Sequence, residues 1–293
     1  MNKLRILDVP KKFQPKHFTI NPPHQGKKPL IEERFYKFAV SNQINSDYIY
    51  LPIFWTQYHI NNNYGKNLKD IKNFLNNLEE KYPSDKFFTI VQYDGGTLLP
   101  INNCTIFGSC GSFSSSIGKN SSYIPIPLLS ERHTSFFYPK KKYLASFIGN
   151  SNTHKLRAEI LDKYISDKDF LFNTQINFLK TFFFKYYTLS SYFALCPRGF
   201  GPSSFRLYEV LGLGQIPVYI SDEFWLPYTN EINWNEIAIL IKYKEINSLK
   251  EILNERLATD YLKMKNKIDS LKDKYFSWEG CIDYIRKKIS NEI

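Results

Sequence analysis

Short apolar runs recur along the chain, separated by stretches in which apolar residues follow a helical period. The predicted strands are 48–54, 87–92, 123–128, 143–148, 192–196, 216–220 and 237–241. The predicted helices are 32–40, 68–81, 154–165, one that opens at Ser203-Ser204, and most of 247–290. Strands that alternate with helices in this way are typical of βαβ units and a parallel sheet. The pattern therefore predicts an α/β fold.

Length and composition indicate that these strands and helices form two domains. The chain has 293 residues, of which 43% are hydrophobic, enough for two α/β domains of about 150 residues each. Residues 1–30 are rich in proline and lysine, which predicts an extended arm with little structure of its own. We place the first domain at 31–140 and the second at 141–293, with the boundary in the Pro139-Lys-Lys-Lys142 stretch.

The predicted βαβ unit at 192–220 carries the most informative candidate chemistry. Its first strand enters the loop Pro197-Arg198-Gly199, and the helix opens at Ser203-Ser204. In an open parallel sheet, ligands bind beyond the carboxyl ends of the strands, where a helix N-terminus offers N–H groups to an anion. Arg198 and Arg206 flank this helix end, with Glu209 one turn further on. They suit a nucleotide diphosphate whose ribose hydroxyls donate to the carboxylate, although a surface ion pair between Arg206 and Glu209 is the alternative.

The stretch Leu195-Cys-Pro-Arg-Gly-x-Gly-Pro-Ser-Ser-Phe-Arg-Leu-x-Glu209 resembles the central motif of the exostosin-like glycosyltransferases. Gly214-x-Ile-Pro-Val218, Leu226-Pro-Tyr and Ile232-Asn-Trp234 follow in the family's order, and the whole resemblance covers residues 30–285. It implies a GT-B fold, in which two Rossmann-like domains with parallel sheets face a central cleft. It also implies that the C-terminal domain holds a sugar nucleotide, that the sugar passes to a carbohydrate acceptor, and that the final helix crosses back to the N-terminal domain.

Nine residues make up the expected donor site: Gly149, Arg157, Arg198, Gly199, Gly201, Ser203, Ser204, Arg206 and Glu209. Cations and backbone N–H groups stabilise a leaving diphosphate, and we expect Arg198 to assist catalysis in this way. Arg157 belongs to the first turns of a predicted helix, where an exposed helical arginine is the alternative. Arg206 contacts phosphate or supports Glu209, and we favour support because a helix turn carries Arg206 away from the loop.

A base is needed near the anomeric carbon to activate the acceptor hydroxyl. Asp94 is the leading candidate because it follows a predicted strand and opens a Gly95-Gly96 loop that lets the backbone approach a ligand. An ordinary turn aspartate before glycines is the alternative. His133, His59 and Asp222 are further candidates, or the base is none of the four. The resemblance implies direct displacement with inversion at the anomeric carbon.

The net charge of +11, from 39 basic and 28 acidic residues, favours polyanions, anionic membrane headgroups or negatively charged substrates. The basic residues are spread along the chain without a recognisable nucleic-acid-binding motif. From this distribution we expect no nucleic acid as partner. The resemblance implies a nucleotide-sugar donor, for which we expect UDP as carrier, and an oligosaccharide or glycan acceptor. Peripheral membrane contact stays open. The alternatives are a carbohydrate-binding relic without turnover and a basic nucleic-acid-binding protein.

Two further expectations concern cofactors and location. We expect no cofactor and no metal ion, on the premise that the chain lacks the Asp-x-Asp motif of metal-dependent transferases. The four cysteines, Cys104, Cys110, Cys196 and Cys281, form no Cys-x-x-Cys pair, so free thiols in a reducing compartment are expected. The sequence has no apolar run of the roughly 18 residues that span a bilayer, and we expect a cytoplasmic enzyme.

Overall fold

The computed structural model describes residues 2–16, 29–112, 117–130, 134–135, 137–174, 180–290 and 292, with the backbone alone at 180–182. The chain divides into two compact units. The first combines Met1–Leu128 with Trp278–Ile293, and the second is Leu129–Ser277. Within the described residues each unit contains one five-stranded sheet, and every strand pairing in these sheets is parallel. The predicted α/β class with two parallel sheets is therefore confirmed.

The sheet of the first unit has the strand order β1-β2-β3-β4-β5. Its strands are β1 (Arg5–Ile6), β2 (Ile49–Tyr50), β3 (Phe87–Val91), β4 (Cys104–Gly108) and β5 (Ser122–Pro125). Helices α1 (Ile31–Ser41), α2 (Trp55–Asn61) and α3 (Lys69–Lys81) belong to the same unit. All five residues of β3 are buried, which explains its unbroken apolar run. In α3 the buried residues Ile71, Leu75 and Leu78 recur at helical spacing and form its inner face.

The sheet of the second unit has the strand order β10-β9-β8-β6-β7. Its strands are β6 (Tyr143–Ile148), β7 (Phe170–Asn173), β8 (Ser191–Pro197), β9 (Ile216–Ser221) and β10 (Ile239–Lys242). The helices are α4 (Lys155–Tyr164), α5 (Lys180–Leu189), α6 (Phe205–Gly212), α7 (Leu249–Thr259) and α8 (Tyr261–Tyr275). The chain then enters α9 (Trp278–Ile289), which groups with the first unit.

The end of α6 depends on a glycine. Gly214 has a φ of +67°, a left-handed conformation that side chains with a Cβ rarely adopt. A Cβ at this position would also lie 2.7 Å from the Asp269 carboxylate. Gly214 therefore lets the chain turn from α6 into β9, as is typical of helix C-termini.

Residues 2–16 differ from the predicted extended arm. β1 pairs with β2, and the buried ring of Phe13 lies 5.4 Å from the Tyr58 ring and 5.0 Å from the Phe74 ring. Burial of such apolar side chains outweighs the proline-rich composition on which the prediction relied. Residues 17–28 of the predicted arm lie outside the described residues. The division between the units falls after Leu128, whereas we predicted a boundary near residue 140.

Several elements were absent from the sequence prediction. β1, β4 and β7 are two to five residues long, and apolar runs this short do not distinguish strand from helix or loop. The strand predicted at 48–54 pairs only over Ile49–Tyr50, because α2 begins at Trp55. The helical stretch at 247–290 is three helices, α7, α8 and α9, interrupted at Asp260 and at 276–277.

The four cysteines are free and buried, which leaves no disulfide in the fold among them. Among the residues that the structure describes, no helix is both long enough and apolar enough to cross a bilayer.

The packing of Phe13 yields a stability prediction. We expect Phe13→Ala to lower the free energy of unfolding of the first unit by about 3–5 kcal/mol, because it removes a buried aromatic ring. Urea denaturation followed by circular dichroism measures the change. Val40→Ala is the control, since Val40 is 59% exposed and its truncation should change stability by about 0.5 kcal/mol or less. Equal effects of the two substitutions would mean that residues 2–16 do not contribute to the core.

Candidate functional site

The predicted donor residues lie at the carboxyl edge of the second sheet. Gly149 follows β6, Arg198 follows β8 and Asp222 follows β9. Because these strands are parallel, their carboxyl ends share one edge, and α6 begins after the loop that leaves β8. This is the edge at which open α/β sheets bind ligands.

Arg157 fixes the backbone of two loops at this edge. Its Nε donates to the Arg198 carbonyl at 2.8 Å, Nη1 to the Asn150 carbonyl at 2.9 Å, and Nη2 to the Pro197 carbonyl at 3.0 Å. Burial and the nearby charge of Arg206 lower the pKa of Arg157 to about 10, so the guanidinium remains charged at neutral pH. Arg157 is therefore not an exposed helical arginine, and its hydrogen bonds hold the loop that follows β8.

Arg198 directly follows β8 and forms an ion pair with Asp222. Its backbone N–H donates to the Ile220 carbonyl at 2.9 Å, and its Nη2 donates to the Phe200 carbonyl at 3.1 Å. Its Nε is buried and has no hydrogen-bond partner among the described residues. A buried donor without a partner costs free energy, and a bound anion would satisfy it.

Arg206 and Glu209 pair with each other on α6. Arg206 Nη1 lies 3.0 Å from Glu209 Oε2, and the Arg206 guanidinium stacks 3.8 Å from the centre of the Phe184 ring. Glu209 is 9% exposed, and its Oε1 accepts a hydrogen bond from Ser130 Oγ at 3.0 Å. The structure thus contains the ion pair that was the alternative interpretation, and it sets Arg206 in the supporting position that we favoured.

The residues of the loop between β8 and α6 differ in the contacts that they make within the protein. The buried Ser203 Oγ has no partner among the described residues, and Ser204 is the N-cap of α6 without a side-chain capping bond. A Cβ at Gly199 would meet Arg157 Nη2 at 3.8 Å and the Ser203 carbonyl at 3.9 Å, which are ordinary contacts. Neither crowding within the chain nor a left-handed φ therefore requires glycine at 199.

The other two glycines of the predicted set contribute less to this picture. A Cβ at Gly149 would lie 2.9 Å from the Phe147 ring, so packing against that ring explains the glycine. Gly201 is buried in the loop between β8 and α6.

The candidate bases lie in both units and have different electrostatics. In the first unit, burial raises the pKa of Asp94, whose Oδ1 accepts a hydrogen bond from the Gly95 N–H at 3.1 Å. Burial lowers the pKa of His59 to about 4. In the second unit, burial of Asp222 is outweighed by the hydrogen bond and charge of Arg198, which lower its pKa. His133 lies outside the described residues.

In the loop that follows Asp94, the structure gives Gly96 a different role from the approach to a ligand that the sequence suggested. Gly96 has a φ of +70°, and a Cβ there would lie 2.6 Å from the Tyr123 hydroxyl. Tyr123 in turn accepts a hydrogen bond from the Thr97 N–H at 3.1 Å. Gly96 therefore makes room for a tyrosine of the same unit. The Asp94–Gly95 contact fits a turn aspartate, and the raised pKa fits a base, so the role of Asp94 stays a prediction.

The premise that the chain lacks an Asp-x-Asp sequence is wrong, because Asp167-Lys168-Asp169 is one. Both carboxylates bind Lys250 Nζ, at 2.6 Å from Asp167 and 2.8 Å from Asp169. They immediately precede β7 and so lie at the amino edge of the sheet, opposite Arg198. In the described part of the chain, no group of three histidine, cysteine or acidic residues could hold a metal ion.

Sequence reasoning missed a buried carboxylate in the first unit, Glu32 in the first turn of α1. It is 1% exposed and accepts hydrogen bonds from Thr56 N–H at 3.1 Å, Thr56 Oγ1 at 2.7 Å and Gln92 N–H at 2.9 Å. These contacts join α1, the start of α2 and the end of β3, two residues before Asp94. An acidic residue near a helix start is ordinary in sequence, so no signal marked Glu32 as buried.

Comparison with known proteins identifies the family of the chain. A family model for the exostosin GT47 domain matches residues 6–256. A probable glucuronosyltransferase of Oryza sativa subsp. japonica is 31% identical over 157 residues, which are 52% of this chain and 35% of that protein. A probable glucuronoxylan glucuronosyltransferase of Arabidopsis thaliana is 29% identical over 137 residues, 46% of this chain and 30% of that protein.

A probable beta-1,4-xylosyltransferase of Arabidopsis thaliana is 37% identical over 76 residues, 26% of this chain and 18% of that protein. The chain thus spans 35% or less of the length of each of these three relatives.

The burial of Glu32 yields a pH prediction. Burial raises the pKa of Glu32 from 4.5 to about 8, against the opposing effect of its hydrogen bonds. Between these values the folded state keeps a proton that the unfolded state has lost. The contribution of this proton to the free energy of unfolding is therefore fully present below pH 4.5. It is lost as the pH rises to about 8, at up to about 1.4 kcal/mol per pH unit.

Glu32→Gln removes this titration, so the stability advantage of the wild type over the variant should shrink as the pH rises. Urea denaturation at intervals from pH 5 to pH 9 measures it, with Glu80→Gln on the exposed side of α3 as the control for a lost carboxylate. A constant difference between wild type and Glu32→Gln over this range would contradict the raised pKa.

Proposed function

The chain belongs to the exostosin GT47 family, and we propose that it transfers a sugar from a UDP-sugar to a carbohydrate acceptor. One observation carries this proposal: two buried donors without partners, Arg198 Nε and Ser203 Oγ, lie in the loop that leads into the N-terminus of α6. A diphosphate supplies the acceptor oxygens that these groups lack, at a helix end that favours negative charge. The names of the relatives make UDP-glucuronate and UDP-xylose the first donors to test.

The leaving diphosphate is the species that this loop stabilises in the proposed reaction. As the bond from the anomeric carbon to the diphosphate oxygen breaks, negative charge grows on that oxygen. Arg198 and the N–H groups at the start of α6 offset this charge, while Arg157 keeps the loop in place through its three carbonyl contacts. Arg198 is paired with Asp222, whose side chain is 56% exposed. A bound diphosphate would compete with Asp222 for Arg198, and the displaced carboxylate could be solvated by water.

Glu209 is the proposed partner of the donor ribose. Its carboxylate lies one turn into α6 and is already oriented by Ser130 and Arg206. A carboxylate fixed in this way can accept hydrogen bonds from ribose hydroxyls.

Asp94 is the proposed base. It would take the proton of the acceptor hydroxyl while that oxygen bonds to the anomeric carbon and UDP departs, which inverts the configuration. Burial raises the pKa of Asp94 toward the range in which a carboxylate accepts protons more readily.

Two other functions are distinguishable by experiment. A carbohydrate-binding relic would bind glycans without hydrolysing UDP-sugars, and it has no use for unpartnered donors at a helix N-terminus. A nucleic-acid-binding protein would shift RNA or DNA in a gel with a strong dependence on salt, as the net charge of +11 permits.

We expect UDP to raise the melting temperature and Arg198→Ala to weaken UDP binding by about 10- to 150-fold, the effect of losing a charge-assisted contact worth about 1.5–3 kcal/mol. Isothermal titration calorimetry with UDP measures the dissociation constant. Arg256→Ala serves as the control, because it removes an arginine of α7 that pairs with Asp260, the residue after this helix. An unchanged dissociation constant in Arg198→Ala would remove this residue from the donor site.

We also propose that turnover needs no metal ion, because Arg198 and the helix end supply the positive charge and the Asp-x-Asp carboxylates are engaged by Lys250. Hydrolysis of UDP-glucuronate or UDP-xylose should therefore continue in EDTA. Loss of hydrolysis in EDTA, restored by manganese, would refute this part of the proposal.

A further inference from the structure

Phe200 exposes its aromatic ring to solvent at the tip of the loop between β8 and α6. It is 73% exposed, and its neighbours along the chain, Arg198 and Ser203, carry the unpartnered donors. A single exposed apolar residue is ordinary on a protein surface, and what sets Phe200 apart is its position in the site loop.

The backbone that carries Phe200 is held from both sides. Arg198 Nη2 donates to the Phe200 carbonyl at 3.1 Å, and the Gly199 N–H donates to the Ser203 carbonyl at 3.3 Å. The Arg198 N–H also ties the start of the loop to the Ile220 carbonyl of β9 at 2.9 Å. The aromatic ring is therefore presented on a fixed loop, and a ligand that stacks on it need not order the backbone first.

We propose that Phe200 is an aromatic platform for a sugar ring of the acceptor. This inference rests on the proposed function. One face of a β-linked pyranose carries only C–H groups, which are apolar and slightly positive, and the face of an aromatic ring is negative. Stacking the two removes apolar surface of both from water. The hydroxyl groups of the sugar stay at its rim, where water and the polar loop can solvate them.

The position of Phe200 favours the acceptor over the donor base. The ribose partner Glu209 is 9% exposed and pairs with Ser130, so the nucleoside end of the donor belongs in this recessed part of the site. Phe200 is instead 73% exposed, and the Arg198 guanidinium that donates to its carbonyl also pairs with the solvent-exposed Asp222. With the nucleoside in the recessed part and the diphosphate at Arg198, the exposed ring is left for the sugar end of the reaction, where the acceptor binds.

Saturation-transfer NMR and titration with xylohexaose and cellohexaose in the presence of UDP test the platform. Wild type should bind at least one of the two oligosaccharides. Phe200→Ala should weaken this binding by about tenfold or more, whereas Phe200→Tyr, which keeps the ring, should retain it. Leu262→Ala is the matched control, since Leu262 on α8 is also 73% exposed. The UDP dissociation constant should be the same in all four proteins.

Three results would overturn the platform: no binding of either oligosaccharide by wild type, equal binding by wild type and Phe200→Ala, or weaker UDP binding in Phe200→Ala. The last result would place the donor base on the ring instead of the acceptor. Failure of wild type to bind UDP would refute the proposed function itself, and it is therefore distinguishable from failure of the platform.

Discussion

The candidate donor site depends on the hydrogen bonds of the buried Arg157 guanidinium. A buried guanidinium must be hydrogen-bonded, and this one uses backbone carbonyls of two loops at the sheet edge. Burial and the charge of Arg206 lower its pKa, and the described residues give it no carboxylate partner. Among the described residues, three arginines and two carboxylates, Asp222 and Glu209, meet at this edge. A diphosphate would neutralise the excess of positive charge within this group.

The first unit uses a buried carboxylate where the second uses a buried arginine. Glu32 accepts backbone N–H groups at the carboxyl end of β3, whereas Arg157 donates to carbonyl groups at the carboxyl end of β8. The two groups differ at neutral pH. With a pKa of about 8, Glu32 is largely protonated, and with a pKa of about 10, Arg157 is charged. Glu32 thus stabilises a loop without adding charge, and Arg157 stabilises a loop while adding it.

The sequence predicted what local pattern and spacing determine. Long apolar runs identified most strands, and the motif around Arg198 identified one edge of one sheet as the candidate site. The partners of Arg157 could not be predicted, because they are carbonyls of residues 7 to 41 positions away that only the sheet brings together. Glu32 was missed for a related reason, since its burial depends on Thr56 and Gln92, which approach it only in the folded unit.

The Asp-x-Asp sequence illustrates how strand direction decides the meaning of a motif. Asp167 and Asp169 precede a strand, so they lie at the amino edge, where their charge is used to bind Lys250. Arg198 follows a strand, so it lies at the carboxyl edge beside the start of a helix. That distinction is available from sequence whenever the neighbouring strand is recognised. β7 is only four residues long and was not recognised from the sequence. Without it, Asp167 and Asp169 could not be assigned to either edge of the sheet.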